Sequence, residues 1–376
     1  MPAPLIARIA LRGDVSNELL WMLPLLGLDP FSASGADAHL VATFRAVPAG
    51  TLLALRPGSL GAPFPEYELW AENNYAAGAM LLSRALGLEQ PYLTAEHGGF
   101  ALLGAAVTAA AGRQHILIEG PPGAGKTLLV RLLHRASRPI HELLRIDCAD
   151  SRQVAAELRA VKAPQGALTR MVLLEHLDAL DAGARRRLAA GLGSARRVRY
   201  FATLGARAKT ATLAGLLDHF PIRLKLSPLR RRPADLAALA RHFLRLADPA
   251  LDFSPPALAC LSTCPLAGNV RELRNLVIRL ELAHRGSPEP LIQRDQIAIL
   301  LAPWRAGRDA PAGAITTRSS RTAASKFSAR PHVSAVPRTL PGGPAELTPA
   351  QSVPRSLALR LSPSPVRLHR HLRIVR

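Results

Sequence analysis

Apolar runs of four to six residues alternate with longer amphipathic segments through the middle of the chain. The runs predict strands at 115–119, Leu143–Ile146, Met171–Glu175, Val198–Thr203 and Ile222–Leu226. The segments around them predict helices at Thr94–Gly112, 126–135, Ser151–Val161 and Asp181–Leu192, with Asp181 as an N-cap. Apolar strands that alternate with helices indicate a parallel sheet covered on both faces. The predicted fold class of this region is therefore α/β.

The segment before this region, residues 1–93, has a weaker pattern of short strands and helices. Candidate strands are Leu5–Leu11, His39–Phe44 and Thr51–Leu55. Candidate helices are Asn17–Leu26, which would end at Gly27, and Glu66–Leu86, which would end at Gly87. We expect a small α/β domain here, and the pattern fits a sensory domain and a structural spacer equally well.

Residues 229–304 change to short amphipathic helices, predicted at Ala234–Leu246, Pro255–Leu261 and Asn269–His284. In the third helix Asn269 is the predicted N-cap, Glu272 would complete a capping box, and Gly286 would end the helix. The predicted organisation is an α/β core over residues 94–228 followed by a helical lid over 229–304.

Residues 305–376 are rich in Pro, Ser, Ala, Thr and Arg, and they carry no apolar period. We expect this tail to be disordered. It holds thirteen Lys or Arg against two acids, and thus more than half of the net charge of +21. A basic tail that binds a polyanion and a stretch translated out of frame are both left open.

Composition excludes several classes of protein. Three cysteines are too few for a disulfide framework. The first residues, Met1–Leu11, are interrupted by Arg8 and do not resemble a signal peptide. The longest apolar run, Ala101–Ala111, is too short to span a bilayer. We therefore expect a cytoplasmic protein that does not interact with a membrane.

The clearest chemical signal follows the strand at 115–119. Gly120, Gly125, Lys126 and Thr127 match the pattern G-x-x-x-x-G-K-[ST] at every fixed position. Glycines let successive backbone N–H groups face a phosphate, and the helix that follows presents its positive end to the same anion. Lys126 would reach the β- and γ-phosphates, and the Thr127 hydroxyl would hold Mg²⁺. The predicted cofactors are ATP and Mg²⁺, bound by Gly120, Pro121, Pro122, Gly123, Ala124, Gly125, Lys126, Thr127 and Leu128.

Four further stretches, in this order, carry a resemblance to a known family. They are Asp147-Cys148-Ala149, the run from Pro228 to Leu244, the run from Phe253 to Leu258, and Gly268-Asn269-Val270-Arg271-Glu272-Leu273. Together with the phosphate loop they resemble the AAA+ domain of bacterial enhancer-binding proteins, the ATPases that activate sigma-54 RNA polymerase. The resemblance covers residues 94–300.

This resemblance implies a P-loop AAA+ sheet with helices on both faces and a small helical lid. It implies that Arg271 is the second sensor, a lid arginine that contacts the bound nucleotide. It also implies assembly with copies of the chain or with related AAA+ subunits, and contact with the transcription machinery. DNA binding stays open, because no helix-turn-helix can be recognised in the tail.

The chain departs from the family at its hydrolytic positions. The third strand ends in Glu175-His176 where the family has Asp-Glu, so Glu175 is the remaining candidate for catalysis and, with Thr127, for Mg²⁺. His176 cannot simply replace a carboxylate base. Gly205 stands where the family has a sensor Asn, and Thr212 and Asp218 stand where it has two arginine fingers.

The chain also lacks the long insertion with a GAFTGA motif by which the family contacts sigma-54, since only Ser151–Arg170 separates the second and third strands. We therefore predict an ATP-binding relative of sigma-54-dependent regulators that hydrolyses ATP poorly. The alternatives are an active AAA+ ATPase with another client, such as a helicase loader or a chaperone, and an interaction protein whose phosphate loop is vestigial.

Overall fold

The computed structural model describes residues 5–31, 38–47, 50–60, 66–137, 142–149, 154, 156–158, 161, 170–194, 197–206, 208 and 210–306. The predicted basic tail lies outside the described residues from position 307 on. Most of the predicted helix Ser151–Val161 also lies outside them, although Val154 and residues 156–158 are helical.

The N-terminal segment forms a five-stranded mixed sheet. In chain order its strands are β1 (Ala7–Gly13), β2 (Leu28–Phe31), β3 (Leu40–Val47), β4 (Gly50–Pro57) and β5 (Tyr67–Ala71). Their order in space is β2-β1-β3-β4-β5. Strand β1 runs parallel to β2 and β3, while β3, β4 and β5 pair antiparallel. This mixed sheet precedes the phosphate loop in the chain.

Two helices accompany this sheet. Helix α1 (Asn17–Met22) continues as a 3-10 turn that ends at Gly27 with φ of 70°, as predicted. The predicted helix Glu66–Leu86 is wrong in its first part, because residues 67–71 form β5 and helix α2 spans only Asn74–Ala85. Asn73 sets this boundary, since its side-chain oxygen accepts a hydrogen bond from the N–H of Ala76 and caps α2.

The central sheet is parallel, as predicted. Its strands are β6 (Ile116–Gly120), β7 (Leu144–Asp147), β8 (Arg170–Glu175), β9 (Val198–Gly205) and β10 (Ile222–Lys225), in the spatial order β10-β6-β9-β8-β7. The helices described around it are α3 (His97–Ala110), α4 (Lys126–Ala136), α5 (Ala182–Ser194) and α6 (Ala214–Leu217). This arrangement confirms the predicted α/β class and places the phosphate loop at the carboxyl end of β6, where such sheets bind ligands.

Both faces of the central sheet are covered. Ile116 and Ile118 belong to one hydrophobic cluster, whereas Leu117 between them belongs to another. This is the two-residue alternation of a strand that is buried on both sides. The first cluster is continuous with Ile9 of the N-terminal sheet and with Leu273 of the lid. The phosphate loop is therefore held by packing that extends through all three parts of the described chain.

The lid consists of four helices and a two-stranded ribbon. The helices are α7 (Pro233–Ala247), α8 (Pro255–Ser262), α9 (Asn269–His284) and α10 (Arg294–Ala306), and the ribbon pairs β11 (Asp252–Phe253) with β12 (Leu291–Ile292). None of the helices in the described part of the chain is long and apolar enough to cross a membrane.

The start of α9 differs from the prediction. Gly268 is the N-cap, and its N–H donates to the Glu272 carboxylate at 2.5 Å, while Asn269 is already the first helical residue. The prediction of Asn269 as the N-cap is wrong, because its side chain is engaged elsewhere. Gly286 follows the helix with φ of 86°, as predicted.

Candidate functional site

The phosphate loop occupies the turn between β6 and α4. Gly123 and Gly125 have φ of 72° and 102°, which is the left-handed region that favours glycine. Lys126 turns back over the loop, and its Nζ donates to the carbonyls of Gly120 at 2.8 Å and Pro121 at 3.0 Å. These contacts hold the ammonium group over the loop, where a phosphate would bind.

The electrostatic surroundings of Lys126 come from burial and from three charged residues nearby. Burial lowers the pKa of Lys126, and the nearby positive charge of Arg271 lowers it further. The carboxylates of Asp178 and Glu175 raise the same pKa. Charges of both signs from the sheet and the lid therefore converge on the lysine, and an anion bound there would meet Arg271 as well as Lys126.

The lid contacts the loop directly through the start of α9. The N–H of Val270 donates to the Gly123 carbonyl at 3.0 Å, and the side-chain amide of Asn269 donates to the Pro122 carbonyl at 2.9 Å. A Cβ atom on Gly123 would lie 2.1 Å from the Gly268 carbonyl oxygen. Glycine at position 123 is thus required both by its φ and by the close approach of the lid.

Thr127 and Glu175 face each other at the end of the loop. The Thr127 hydroxyl donates to Oε1 of Glu175 at 2.7 Å. The Glu175 side chain is 6 % exposed, and its Oε2 accepts a hydrogen bond from Nε of Arg145. A hydroxyl and a carboxylate are oxygen ligands of the type Mg²⁺ takes, so the residues at this place fit the ion that the fold implies.

His176, the residue that follows Glu175, is turned away from the loop. Its φ is 54°, and its Nδ1 lies 2.9 Å from Oδ1 of Asp147 on β7. Strand β7 is at the edge of the sheet, on the side of β8 opposite to β9 and β6. The imidazole therefore points toward the outer strand and not toward the strand that carries the phosphate loop.

Gly205, the last residue of β9, has no side chain that could orient a water molecule. Gly205 pairs with Gly120 across the sheet, so it lies beside the start of the loop. Its N–H donates to Oδ1 of Asp178 at 3.4 Å. The carboxylate of Asp178, which the sequence analysis did not single out, thus occupies the space beside Gly205.

The two positions aligned with arginine fingers hold no cation. Thr212 lies in a 3-10 turn, and its carbonyl accepts a hydrogen bond from Arg185 at 3.2 Å. Asp218 is exposed at the end of α6. Arg223 is the described arginine nearest to these two positions along the chain. Its guanidinium donates to the Leu217 carbonyl at 3.3 Å, a contact within the same segment of the chain.

A buried cluster that the sequence analysis missed joins the lid to the start of the core. Asp235, which is fully buried, accepts hydrogen bonds from the Thr94 hydroxyl at 2.9 Å and the Ala95 N–H at 2.6 Å. It also forms an ion pair with Arg232 at 3.1 Å. The run from Pro228 to Leu244 contains this aspartate and Arg232, but Thr94 and Ala95 are some 140 positions away and cannot be predicted from local spacing.

The remaining sequence candidates fall into place around the loop. Leu128 packs against the core and lines a cleft beside Thr127. Arg271 is exposed at the first turn of α9, and its Cβ would be 3.2 Å from a Cβ atom on Gly123. In the described residues no group of three or more His, Cys, Asp or Glu side chains could hold a metal ion. Cys148 is buried, which raises the pKa of its thiol to about 12.

The parallel sheet has the strand order β10-β6-β9-β8-β7, and the phosphate loop follows β6. A helical lid contacts this loop. Together these features define a P-loop AAA+ ATPase fold. Two family models match the chain, one described as the AAA+ ATPase lid domain over residues 230–298, the other as magnesium chelatase, subunit ChlI, over residues 98–168. Less than half of the chain is homologous to sigma-54-dependent transcriptional regulators.

Three curated relatives illustrate this homology. The anaerobic nitric oxide reductase transcription regulator NorR of Serratia proteamaculans is 27 % identical over 46 % of this chain and 41 % of its own length. A Nif-specific regulatory protein of Rhizobium leguminosarum bv. trifolii is 28 % identical over 44 % of this chain and 57 % of its own. The transcriptional regulator NtrC of Rhizobium meliloti is 41 % identical over 20 % and 16 %. The matches therefore span less than two thirds of each relative.

Among solved structures, NtrX from Brucella abortus in complex with ATP matches 80 % of this chain and 90 % of its own, at 18 % identity and a TM-score of 0.47. The RuvB Holliday junction branch migration motor of Thermotoga maritima matches 54 % of this chain and 66 % of its own, at 16 % identity and a TM-score of 0.42.

Proposed function

We propose that the chain binds ATP together with Mg²⁺ at the loop 120–127. The observation that carries this proposal is the hydrogen bond from the Thr127 hydroxyl to Oε1 of Glu175, 2.7 Å long, at the end of a complete phosphate loop. Lys126 and the loop N–H groups would hold the phosphates, and Arg271 would reach the nucleotide from the lid. Thr127 and Glu175 would hold a magnesium ion, which would neutralise phosphate charge.

We further propose that the chain regulates transcription through its nucleotide-bound state and works in the cytoplasm. Its homologues are transcriptional regulators by name, and AAA+ proteins commonly assemble, so copies of the chain or related AAA+ subunits are the proposed partners. The missing GAFTGA insertion argues against promoter opening with sigma-54 polymerase.

The division of the chain into segments 1–93, 94–228, 229–304 and 305–376 is part of this proposal.

Slow turnover of ATP is the third element of the proposal. His176 turns toward Asp147, Gly205 offers only its backbone, and Thr212 and Asp218 replace the arginines that would act in a neighbouring subunit. Phosphoryl transfer depends on positioning and charge stabilisation, so these losses compound one another. An ATPase assay over a series of protein concentrations tests this element, since a trans arginine would raise turnover per chain as the protein assembles.

An active ATPase with another client is the rival that shares the same fold. One feature favours it, namely the Asp178 carboxylate beside Gly205, which could accept a proton where His176 does not. Turnover on the order of one per second that disappears in Asp178→Asn would establish that rival. An interaction protein with a vestigial loop predicts no nucleotide binding at all.

Calorimetry on the full chain tests the binding proposal. Wild type should bind ATP·Mg²⁺, and Lys126→Ala should bind at least about tenfold more weakly, because the charge that meets the phosphates is removed. Lys225→Ala is the matched control, since Lys225 is an exposed lysine at the end of the neighbouring strand β10. Equal affinities of wild type and Lys126→Ala for ATP·Mg²⁺ would contradict the proposal.

A further inference from the structure

Both carboxylate oxygens of Glu175 already have partners within the protein. Oε1 accepts from the Thr127 hydroxyl at 2.7 Å, and Oε2 accepts from Nε of Arg145. The Glu175 side chain is 6 % exposed, whereas that of Arg145 is 61 % exposed. A buried carboxylate requires a compensating charge, and in the described part of the chain Arg145 is the residue that forms an ion pair with it.

The sheet register explains why Arg145 reaches this position. Arg145 on β7 lies opposite Leu173 on β8, and Glu175 is two residues beyond Leu173. Because side chains alternate along a strand, Arg145 and Glu175 project from the same face of the sheet. That face is the one packed by α4, the helix that begins with Lys126 and Thr127. The guanidinium is thereby directed at the carboxylate that faces the phosphate loop.

Arg145 also has room to move. Together with Thr127 it lines a cleft of about 610 Å³, whose wall includes Arg131 and Arg135 of α4. The exposed guanidinium borders this cleft and therefore has space to turn away from Glu175. The arginine of this ion pair therefore lies at the edge of a cleft and is not held in place by burial.

We propose that Arg145 is a resident counter-ion of Glu175, which makes nucleotide binding by this chain largely independent of Mg²⁺. With Arg145 in place, Glu175 is neutralised and repels the triphosphate little, so ATP without a metal ion can bind. A divalent cation that uses Glu175 has to displace Arg145, which reduces the gain in affinity that the ion provides. The inference rests on the proposed binding of ATP at the loop.

The test compares ATP affinity of the full chain in excess Mg²⁺ and in EDTA, by calorimetry. For wild type we expect the two dissociation constants to differ by less than about fivefold. In Arg145→Gln the buried carboxylate faces the triphosphate uncompensated, so the ratio of the constants in EDTA and in Mg²⁺ should rise at least about tenfold over wild type. Arg145→Lys keeps the charge and should keep a ratio near that of wild type.

Arg135→Gln is the matched control, because Arg135 lines the same cleft and forms no ion pair with Glu175 in the described structure. For Arg135→Gln, the ratio of the ATP dissociation constants in EDTA and in Mg²⁺ should equal that of wild type. The inference is overturned if Arg145→Gln binds ATP with the wild-type ratio, or if the two dissociation constants of wild type differ by more than about fivefold. Absence of binding in both buffers overturns the proposed function itself, and this inference with it.

Discussion

Asn269 in the lid donates its side-chain amide to the carbonyl of Pro122 in the phosphate loop, at 2.9 Å. The oxygen of the same side chain accepts the buried N–H of Leu229 at 2.8 Å, at the start of the lid. One residue therefore ties together the loop, the segment that enters the lid and helix α9. The hydrogen bond of Val270 to Gly123 strengthens the same junction.

Replacing Asn269 should loosen this junction. Asn269→Ala leaves the N–H of Leu229 and the carbonyl of Pro122 without their partner, so we expect a loss of about 1–3 kcal/mol in the free energy of unfolding. Urea denaturation followed by circular dichroism measures it. Asn275→Ala, an exposed position on the same helix, should change the value by less than about 0.5 kcal/mol. Equal stability of the two variants would contradict the role of Asn269.

The buried pair of Asp235 and Arg232 gives a second prediction. Asp235→Asn keeps the shape of the side chain but removes the charge, which leaves Arg232 buried without a counter-ion. We expect a loss of about 3 kcal/mol in the free energy of unfolding, measured by the same denaturation. Asp295→Asn, at an exposed position on α10, serves as the control. A loss as small as that of the control would show that the pair contributes little.

The N-terminal sheet and the lid meet at Arg241. Its guanidinium donates to Glu72 at 2.6 Å and to Asp252 at 3.2 Å, and it lies 5.6 Å from the centre of the Trp70 ring. Arg241→Ala should lower the free energy of unfolding by about 2 kcal/mol, because it removes both charge pairs and the contact with the ring. Thermal unfolding reports this loss, and Arg279→Ala on an exposed face of α9 is the comparison. An unchanged melting temperature in Arg241→Ala would refute the coupling.

The stability of the chain should depend on pH through His242. Burial lowers the pKa of His242 to about 4, and the positive charges of Arg84 and Arg274 lower it as well. Between pH 6.5 and 4 the unfolded chain therefore takes up a proton that the folded chain does not, so stability falls as the pH falls through this window. We expect His242→Gln to lessen that fall, by on the order of 2 kcal/mol.

Denaturation at pH 7 and pH 5 measures the effect, with His97→Gln at an exposed position as the control. If His242→Gln and wild type lose the same stability between the two pH values, the assignment to His242 is incorrect.

The sequence predicted the parts of this molecule that depend on local patterns. The apolar run before Gly120, the glycines and the Lys-Thr pair identify β6, the loop and α4 because strand, turn and helix signals follow one another without a gap. The end of α1 at Gly27 was also predictable, since a left-handed residue after a helix favours glycine. By contrast, β5 was merged with α2, although the Asn73-Asn74 pair between them is a capping signal.

Contacts between distant segments could not be predicted. Arg145 reaches Glu175 only because β7 and β8 are neighbours in the sheet, and no local spacing shows that pairing. Asp235 accepts a hydrogen bond from Thr94, which is far away in the sequence. Asn269 does not cap α9 as expected but donates a hydrogen bond to the loop. In each case a polar side chain bonds to a group far away in sequence, and such partners follow from the fold and not from periodicity.

The nucleotide held by the protein after incubation with ATP tests the central proposal most directly. Full-length chain is incubated with ATP and Mg²⁺, unbound nucleotide is removed, and the bound nucleotide is released and identified by ion-exchange chromatography, with Lys126→Ala as the blank. We predict that wild type retains ATP and that the blank retains none, because the loop is complete while the hydrolytic positions hold His176 and Gly205. Recovery of ADP in place of ATP, or no nucleotide above the blank, would contradict an ATP-binding protein that turns over slowly.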